Sequence, residues 1–493
     1  MVSAARAHPR RAARGGGRRS RADHRPRPLD SLHGGPRMGC RRVPRLADRA
    51  ARPPRRESRR RHRSPGGESV SRSALLCSMP AVGHVGPLLV VARELQRRGW
   101  RVRMLTGARY ESMVTRAGIA FHPLPPEADT LDSIGEDDRD RGLATINRGV
   151  ERAFVEPAAP AAARLEELLR AEPSDVVLHD MTFLGVQTLF GRPASERPLT
   201  VMCGIGPAGF SSRDAAPYGL GITPTRPRVV NRVRNRMLGV TARAVLRPVH
   251  RALDRFLADV GAPPLDGAFF MDALSRSDLL AQFTVPGFEY PRSDAPGHLQ
   301  FYGPMTEPSA DRTAAPPWFA DLDPSIPLVH VTQGTVANTD FHEVVLPTVT
   351  ALADEPVQVA VTTGGRDVAD LPDLPPNAFA ASYLPYDELL ERTRVLVTNG
   401  GYGGLHHAMR HGVPIVIAGD SEDKVETSAR VQYAGVGINL RTGTPSADAV
   451  RVAVRRILAD PRYAANARRL GDAVEASRGA RGLVDDIEAA LAV

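Results

Sequence analysis

Val397-Thr-Asn-Gly-Gly-Tyr-Gly-Gly-Leu-His-His-Ala-Met409 decides the reading of this chain, with Gly412-Val-Pro-Ile-Val-Ile417 and Asp420-Ser-Glu-Asp-Lys424 following it. An apolar run from Arg394 to Thr398 enters a glycine cluster, a helical pattern begins, and a second apolar run starts at Pro414. The order is strand, glycine loop, helix, strand. Glycines let the backbone come close to a diphosphate, and the N–H groups and dipole of the following helix favour its negative charge. Gly400, Gly401, Gly403 and Gly404 are the candidate phosphate-binding positions. A glycine turn alone is a weak signal; the acidic pair Glu422-Asp423 with Lys424 after the next strand sharpens it.

The same alternation runs on both sides. Ala74–Met79 reads as a buried strand, and 86–98 as a helix with Leu88, Val91, Ala92 and Leu95 at helical spacing, closed by Gly99. Strands follow at 101–106 and 118–121, then one long helix from Ala144 to Arg170, then strands at 174–180 and 199–203. A stretch rich in Pro, Asp and Ala reads as a linker over 303–326, and a second strand series begins at Pro327. It continues at 357–362, 378–381, 395–398 and 415–418. The expected fold class is α/β, with one domain over 73–302 and another over 327–493. Open sheets of this type bind ligands at the carboxyl ends of their strands.

The chain has 493 residues and a net charge of +10, which invites a nucleic-acid reading until it is divided. Residues 1–72 hold 22 Arg and 5 acids, so the remainder is mildly acidic. That first segment is too poor in apolar residues to offset its ordering entropy, and is expected to be a disordered arm. We read it as an over-extended start, with Val70 as an alternative and Gly66-Gly67-Glu68 as translated leader, ahead of a basic tail or a transit segment. No apolar run reaches the roughly twenty residues of a membrane span, so the expected location is cytoplasmic and no nucleic-acid partner is expected. Cys40, Cys77 and Cys203 lack metal-ligand spacing; Cys77 reads as a core residue.

Two groups of residues carry chemistry. Pro80-Ala-Val-Gly-His84-Val-Gly-Pro87 lies between the first strand and its helix, where a neutral imidazole can take a proton from a hydroxyl. Asp180 also ends a buried strand, so in a parallel sheet it emerges at the same edge and can orient the imidazole. His179 points the other way. In the second half, Gly334 and Thr335 end a strand and offer N–H groups and a hydroxyl to phosphate. Tyr383-Leu384-Pro-Tyr386 ends another and offers aromatic faces to a base. Asp423 and Lys424 offer hydrogen bonds to sugar hydroxyls, and Lys424 is the only lysine beside 64 arginines.

From about Ala74 to the C-terminus these residues resemble the GT-B glycosyltransferases of family 1, which include UDP-glycosyltransferases and macrolide glycosyltransferases. The resemblance implies two Rossmann-like, doubly wound domains facing across a cleft, the first for the acceptor and the second for a UDP- or dTDP-sugar. It implies an inverting transfer without a metal or other cofactor: His84 deprotonates a hydroxyl of a small molecule such as a natural product, Asp180 is its partner, and 383–424 is the donor signature. The chain departs from that signature. Asn399 replaces a phosphate-contacting histidine, Gly404 a serine or threonine, His407 a ribose-binding glutamate, Lys424 a sugar-binding glutamine and Tyr383 a tryptophan.

These departures keep a second class in view, a nucleotide-sugar-binding protein with weakened turnover. A nucleotide-sugar epimerase and a membrane-associated lipid glycosyltransferase are further enzyme readings. Between Pro224 and Phe256 nine Arg stand against Asp254 alone, interleaved with apolar residues. A solvated face or a helix covering the sheet is the expectation there, and contact with an anionic membrane the alternative. The acceptor pocket is expected from first-domain loops, including 126–141 and the region after Gly204.

Overall fold

The computed structural model describes residues 71–131, 143–306, 314–335, 338–420 and 423–492. The arginine-rich arm up to Val70, much of the 126–141 loop, part of the 303–326 linker and Glu422 lie outside them. Two parallel sheets organise the chain, as two Rossmann-like domains. In the first, β1 (Ser73–Cys77), β2 (Arg101–Thr106), β3 (Ala120–Pro123), β4 (Val176–Asp180), β5 (Leu199–Gly204), β6 (Leu279–Gln282) and β7 (Leu299–Phe301) lie in the order 3-2-1-4-5-6-7. In the second, β8 (Leu328–Thr332), β9 (Gln358–Thr362), β10 (Ala378–Ala381), β11 (Thr393–Thr398), β12 (Ile415–Ile417) and β13 (Gly437–Asn439) take the order 10-9-8-11-12-13.

Helices cover both sheets. The first half supplies α1 (Val82–Arg97), α2 (Glu111–Arg116), α3 (Leu143–Val150), α4 (Ala158–Ala171), α5 (Arg228–Val245) and α6 (Arg247–Asp259). The second supplies α7 (Pro317–Ala320), α8 (Val345–Leu352), α9 (Tyr386–Arg392), α10 (Tyr402–Arg410), α11 (Lys424–Tyr433), α12 (Ala447–Ala459), α13 (Pro461–Glu475) and α14 (Gly479–Leu491). Because both faces of each sheet are covered, central strands read as continuous apolar runs. Every residue of β1, β4, β8 and β9 is buried, Cys77 among them.

The strand order reverses between β1 and β4 in one sheet and between β8 and β11 in the other. Ligand crevices form at such switch points. His84 follows β1 and Asp180 ends β4; Gly334 follows β8 and Asn399 follows β11. Each pair of candidate segments therefore leaves adjacent strands at a crevice.

Three elements depart from the sequence expectation. The long helix over 144–170 is two helices with a wide π-type turn at Glu151–Val155; Pro157 has no N–H to give the carbonyl four residues back. The first helix starts at Val82 rather than Gly86, which puts His84 in its first turn. Finally, α14 lies beyond its own domain: Leu483, Val484 and Ile487 join the core of the first sheet. Glu488 accepts from Trp100 Nε1 at 3.1 Å and from Arg98 at 3.0 Å, so polar contacts as well as apolar ones select that sheet for the helix.

His179, His330 and His406 are buried, and burial pushes each down to about 4. In an unfolded chain imidazole titrates near about 6.5, so below that pH the unfolded state binds protons that the folded state refuses. The stability involved is fully present above about pH 6.5 and is lost as the pH falls toward 4. We expect unfolding free energies from urea titrations to decline across that window by up to about 3 kcal/mol per histidine. His330→Phe should flatten the decline by its share; an unaltered slope would show that His330 does not contribute.

Candidate functional site

Asp180 is fully buried and takes four hydrogen bonds. Its Oδ2 accepts from Met79 N–H at 2.7 Å and faces His84 Nδ1 at 3.2 Å; its Oδ1 accepts from Thr182 N–H at 2.6 Å and from the Thr182 hydroxyl at 2.5 Å. Burial works to raise the Asp180 pKa, but His84 and the Thr182 hydrogen bonds outweigh it and hold the carboxyl below its ordinary value. An ionised carboxylate at Nδ1 fixes the tautomer with the proton on that nitrogen, which leaves Nε2 as the acceptor. The His84 side chain keeps 20% exposure and Asp180 none, the pattern of a base open to a ligand and an orienting group shielded from water. Thr182, whose Oγ lies 3.2 Å from His84 Nδ1, was not anticipated. The Asx-type turn two residues after Asp180 was the available signal. His179 faces inward, paired with Ser277 Oγ and its neighbour's carbonyl.

In the second half, the four glycines after β11 divide into two kinds. Gly400 has φ +101° and a Cβ there would meet Ile417 Cδ1 at 2.7 Å, so the turn needs glycine. At Gly401 and Gly403 an added Cβ meets nothing within 4 Å, and at Gly404 only the Tyr386 hydroxyl at 4.0 Å. These three stand at the N-terminus of α10 beside open space, where unbonded N–H groups favour an anion. Thr427 Oγ1 donates to Gly400 O at 3.1 Å and ties the loop to α11. Across the crevice Gly334, with φ +73°, and Thr335 are exposed.

The remaining candidate positions have different surroundings. Asn399 is buried and its Nδ2 donates to Gln333 O at 2.9 Å, joining the loops after β8 and β11. The Leu384 side chain belongs to the apolar core, leaving only its backbone for a ligand. Tyr383 is 45% exposed, with its ring available for stacking. Lys424 is buried at the start of α11. His407 is held below its usual pKa, mainly by burial and further by Arg410 and His411. Its Nδ1 is buried with no partner among the described residues.

The two halves meet around α11. An added Cβ at Gly206 would lie 3.8 Å from Asp423 Oδ2 and 3.4 Å from Met181 Sδ, so Asp423 and Met181, the residue after Asp180, both border Gly206. Glu426 Oε1 accepts from the N–H groups of Gly219 and Gly221, each at 2.9 Å, and its Oε2 pairs with Arg430 at 2.8 Å. Arg430, completely buried, reaches Glu289 Oε2 at 3.0 Å and lies 4.4 Å over the Tyr290 ring. The Glu426–Arg430 spacing was legible, but Glu289 stands 141 residues away in the chain.

Similarity to known proteins follows the same division. Residues 81–191 match the glycosyltransferase family 28 N-terminal domain, and residues 343–489 match the C-terminal domain of erythromycin biosynthesis protein CIII-like proteins. The 4'-demethylrebeccamycin synthase of Lentzea aerocolonigenes is 38% identical over 423 residues, covering 84% of this chain and 98% of the relative. UDP-glycosyltransferase 2 of Phaeomoniella chlamydospora is 32% identical over 438 residues, covering 84% and 94%. Among solved structures, the calicheamicin glycosyltransferase CalG4 superposes with a TM-score of 0.67 at 24% identity, covering 86% of this chain and 99% of its own. The spinosyn rhamnosyltransferase SpnG complexed with thymidine diphosphate gives 0.60 at 21%, covering 84% and 100%. The protein is thus a glycosyltransferase of the GT-B fold. It belongs to family 1, among the macrolide-type glycosyltransferases.

Arg430→Met would leave Glu289 and Glu426 buried without their shared counter-charge. We expect a loss of about 3–5 kcal/mol of unfolding free energy at neutral pH, read by urea titration. A loss under about 1 kcal/mol would show that the cluster does not join the halves.

Proposed function

We propose that the enzyme transfers a sugar, with inversion, from a UDP- or dTDP-sugar to a hydroxyl of a small-molecule natural product. The observation that carries this reading is the Asp180 carboxylate beside His84 Nδ1, which frees Nε2 to act as base. The acceptor O–H gives its proton to His84 Nε2, its oxygen forms the new bond to the anomeric carbon, and the bond from that carbon to the diphosphate oxygen breaks. Asp180 stabilises the imidazolium so formed. The departing negative charge passes to the N-terminus of α10, at Gly401, Gly403 and Gly404, with Gly334 and Thr335 opposite.

Further roles follow from placement. Tyr383 stacks on the base, and His407, part-exposed on α10, takes a ribose hydroxyl. Asp423 and Lys424 take the sugar hydroxyls, at the junction with Met181 and Gly206. Asn399 acts as a strut between loops, and the charge-neutral glycine cluster does the anion binding. Both nucleotide series are supported as donors by relatives named UDP-glycosyltransferases and by the thymidine diphosphate complex of a structural neighbour.

His84→Ala should lower transfer by about 10²–10⁴-fold while donor affinity by calorimetry stays within about twofold, and Asp180→Asn should lower turnover more than it changes affinity. Full transfer by His84→Ala would remove it as the base. His407→Phe should weaken donor binding without affecting the rate at saturation; unchanged affinity would free the ribose role for another residue. Lys424→Gln should change the ranking of donor sugars in a hydrolysis screen, and an unchanged ranking would take Lys424 out of the sugar subsite.

A further inference from the structure

The helix α5 is folded with its polar side inward. Its buried positions are Asn231 and Asn235. Asn231 donates to Asp214 O at 2.8 Å and accepts from Thr225 N–H at 3.0 Å, and Asn235 donates to Arg213 O at 3.2 Å. On the outer side Val229, Val230, Val233, Met237 and Val240 are 57–73% exposed. With 3.6 residues per turn these five fall in one stripe about 100° wide. Arg236 and Arg243 border one edge of the stripe; Arg234 stands at the other, with its guanidinium turned inward to Thr223 O and the two asparagines. No acidic residue occurs from Arg226 to Leu253.

Such a surface has few fitting occupants. A second copy would bring two arginine-bordered faces together, at a like-charge cost. The 22-arginine segment at the start of the chain meets the same repulsion. A nucleic acid would use the guanidinium groups but leave four valines and a methionine in water. An anionic bilayer takes both: aliphatic side chains enter below the headgroups and guanidinium groups meet the phosphates. We infer that α5 is an interfacial anchor by which this protein lies on an anionic lipid surface. Among the described residues no helix is long and apolar enough to cross a membrane, so the contact is peripheral.

The full-length chain is sedimented with vesicles of phosphatidylglycerol and phosphatidylcholine, and with phosphatidylcholine alone. The comparison is with Val233→Gln/Met237→Gln and with Arg236→Gln/Arg243→Gln, so that the arginine-rich segment is common to all. Circular dichroism checks the fold, which exposed positions should not perturb. The apolar pair should lose about 10-fold or more in affinity for anionic vesicles, given the area its side chains bury. The arginine pair should lose affinity in a salt-dependent way. Equal binding by wild type and both variants, equal binding to neutral vesicles, or a wild-type dimer that the apolar pair makes monomeric would each overturn the inference.

Discussion

The Arg430 guanidinium is the interaction on which the rest of this architecture depends. It lies in the interior with one carboxylate from each half of the chain, Glu289 and Glu426, and a tyrosine ring beneath it. Burial works against its charge and against that of Glu289, yet Arg430 stays charged and, together with Arg292, holds the Glu289 carboxyl below its ordinary value. Replacing such a cluster wholesale with apolar groups can be neutral, so its presence is poor evidence for extra stability. Its geometric effect is firmer. Glu426 also holds Gly219 and Gly221, so the first turn of α11, with Asp423 and Lys424, keeps one position relative to the loop after β5.

A second joint reaches the same segment. His406, on the buried side of α10, meets Thr284 Oγ1 at 2.6 Å and the Phe288 ring edge-on at 5.3 Å. Its imidazole is kept neutral by burial, so the joint carries no charge to desolvate. Both helices beside the second switch point, α10 by its buried side and α11 by Glu426 and Arg430, are thus referred to the stretch 284–289 beyond β6. A displacement of that stretch would carry the glycine cluster together with Asp423 and Lys424, altering their relation to His84.

What the sequence disclosed follows from what local pattern encodes. Buried strands announced themselves as apolar runs, and parallel order followed from their alternation with helices. His84 and Asp180 were legible because each sits where an apolar run stops. Pattern does not say what covers a face. The apolar stripe of α14 predicts burial but not against which sheet; Arg98 and Trp100, nearly four hundred residues away, make that choice. In α5 the arginines and valines read as an ordinary amphipathic helix, and only Asn231 and Asn235 reveal which side the protein uses. Lys424 and Asn399 were legible as polar residues at strand ends, whereas their burial is a property of the neighbouring loops.

The proposed chemistry gives a reason for using both switch points. Transfer moves a proton toward one group and negative charge toward another, and a single residue cannot serve both. At the first switch point Asp180 is held ionised by four donors, so an imidazolium forming beside it is met by a charge already in place. At the second, the departing anion would be met by backbone N–H groups and a helix dipole, in a loop that Gly400 and Thr427 already fix. Neither arrangement has to reorganise as charge develops. The distance between them is set by the neutral joint at His406 and the charged one at Arg430, two contacts of opposite electrostatic character acting on one short segment.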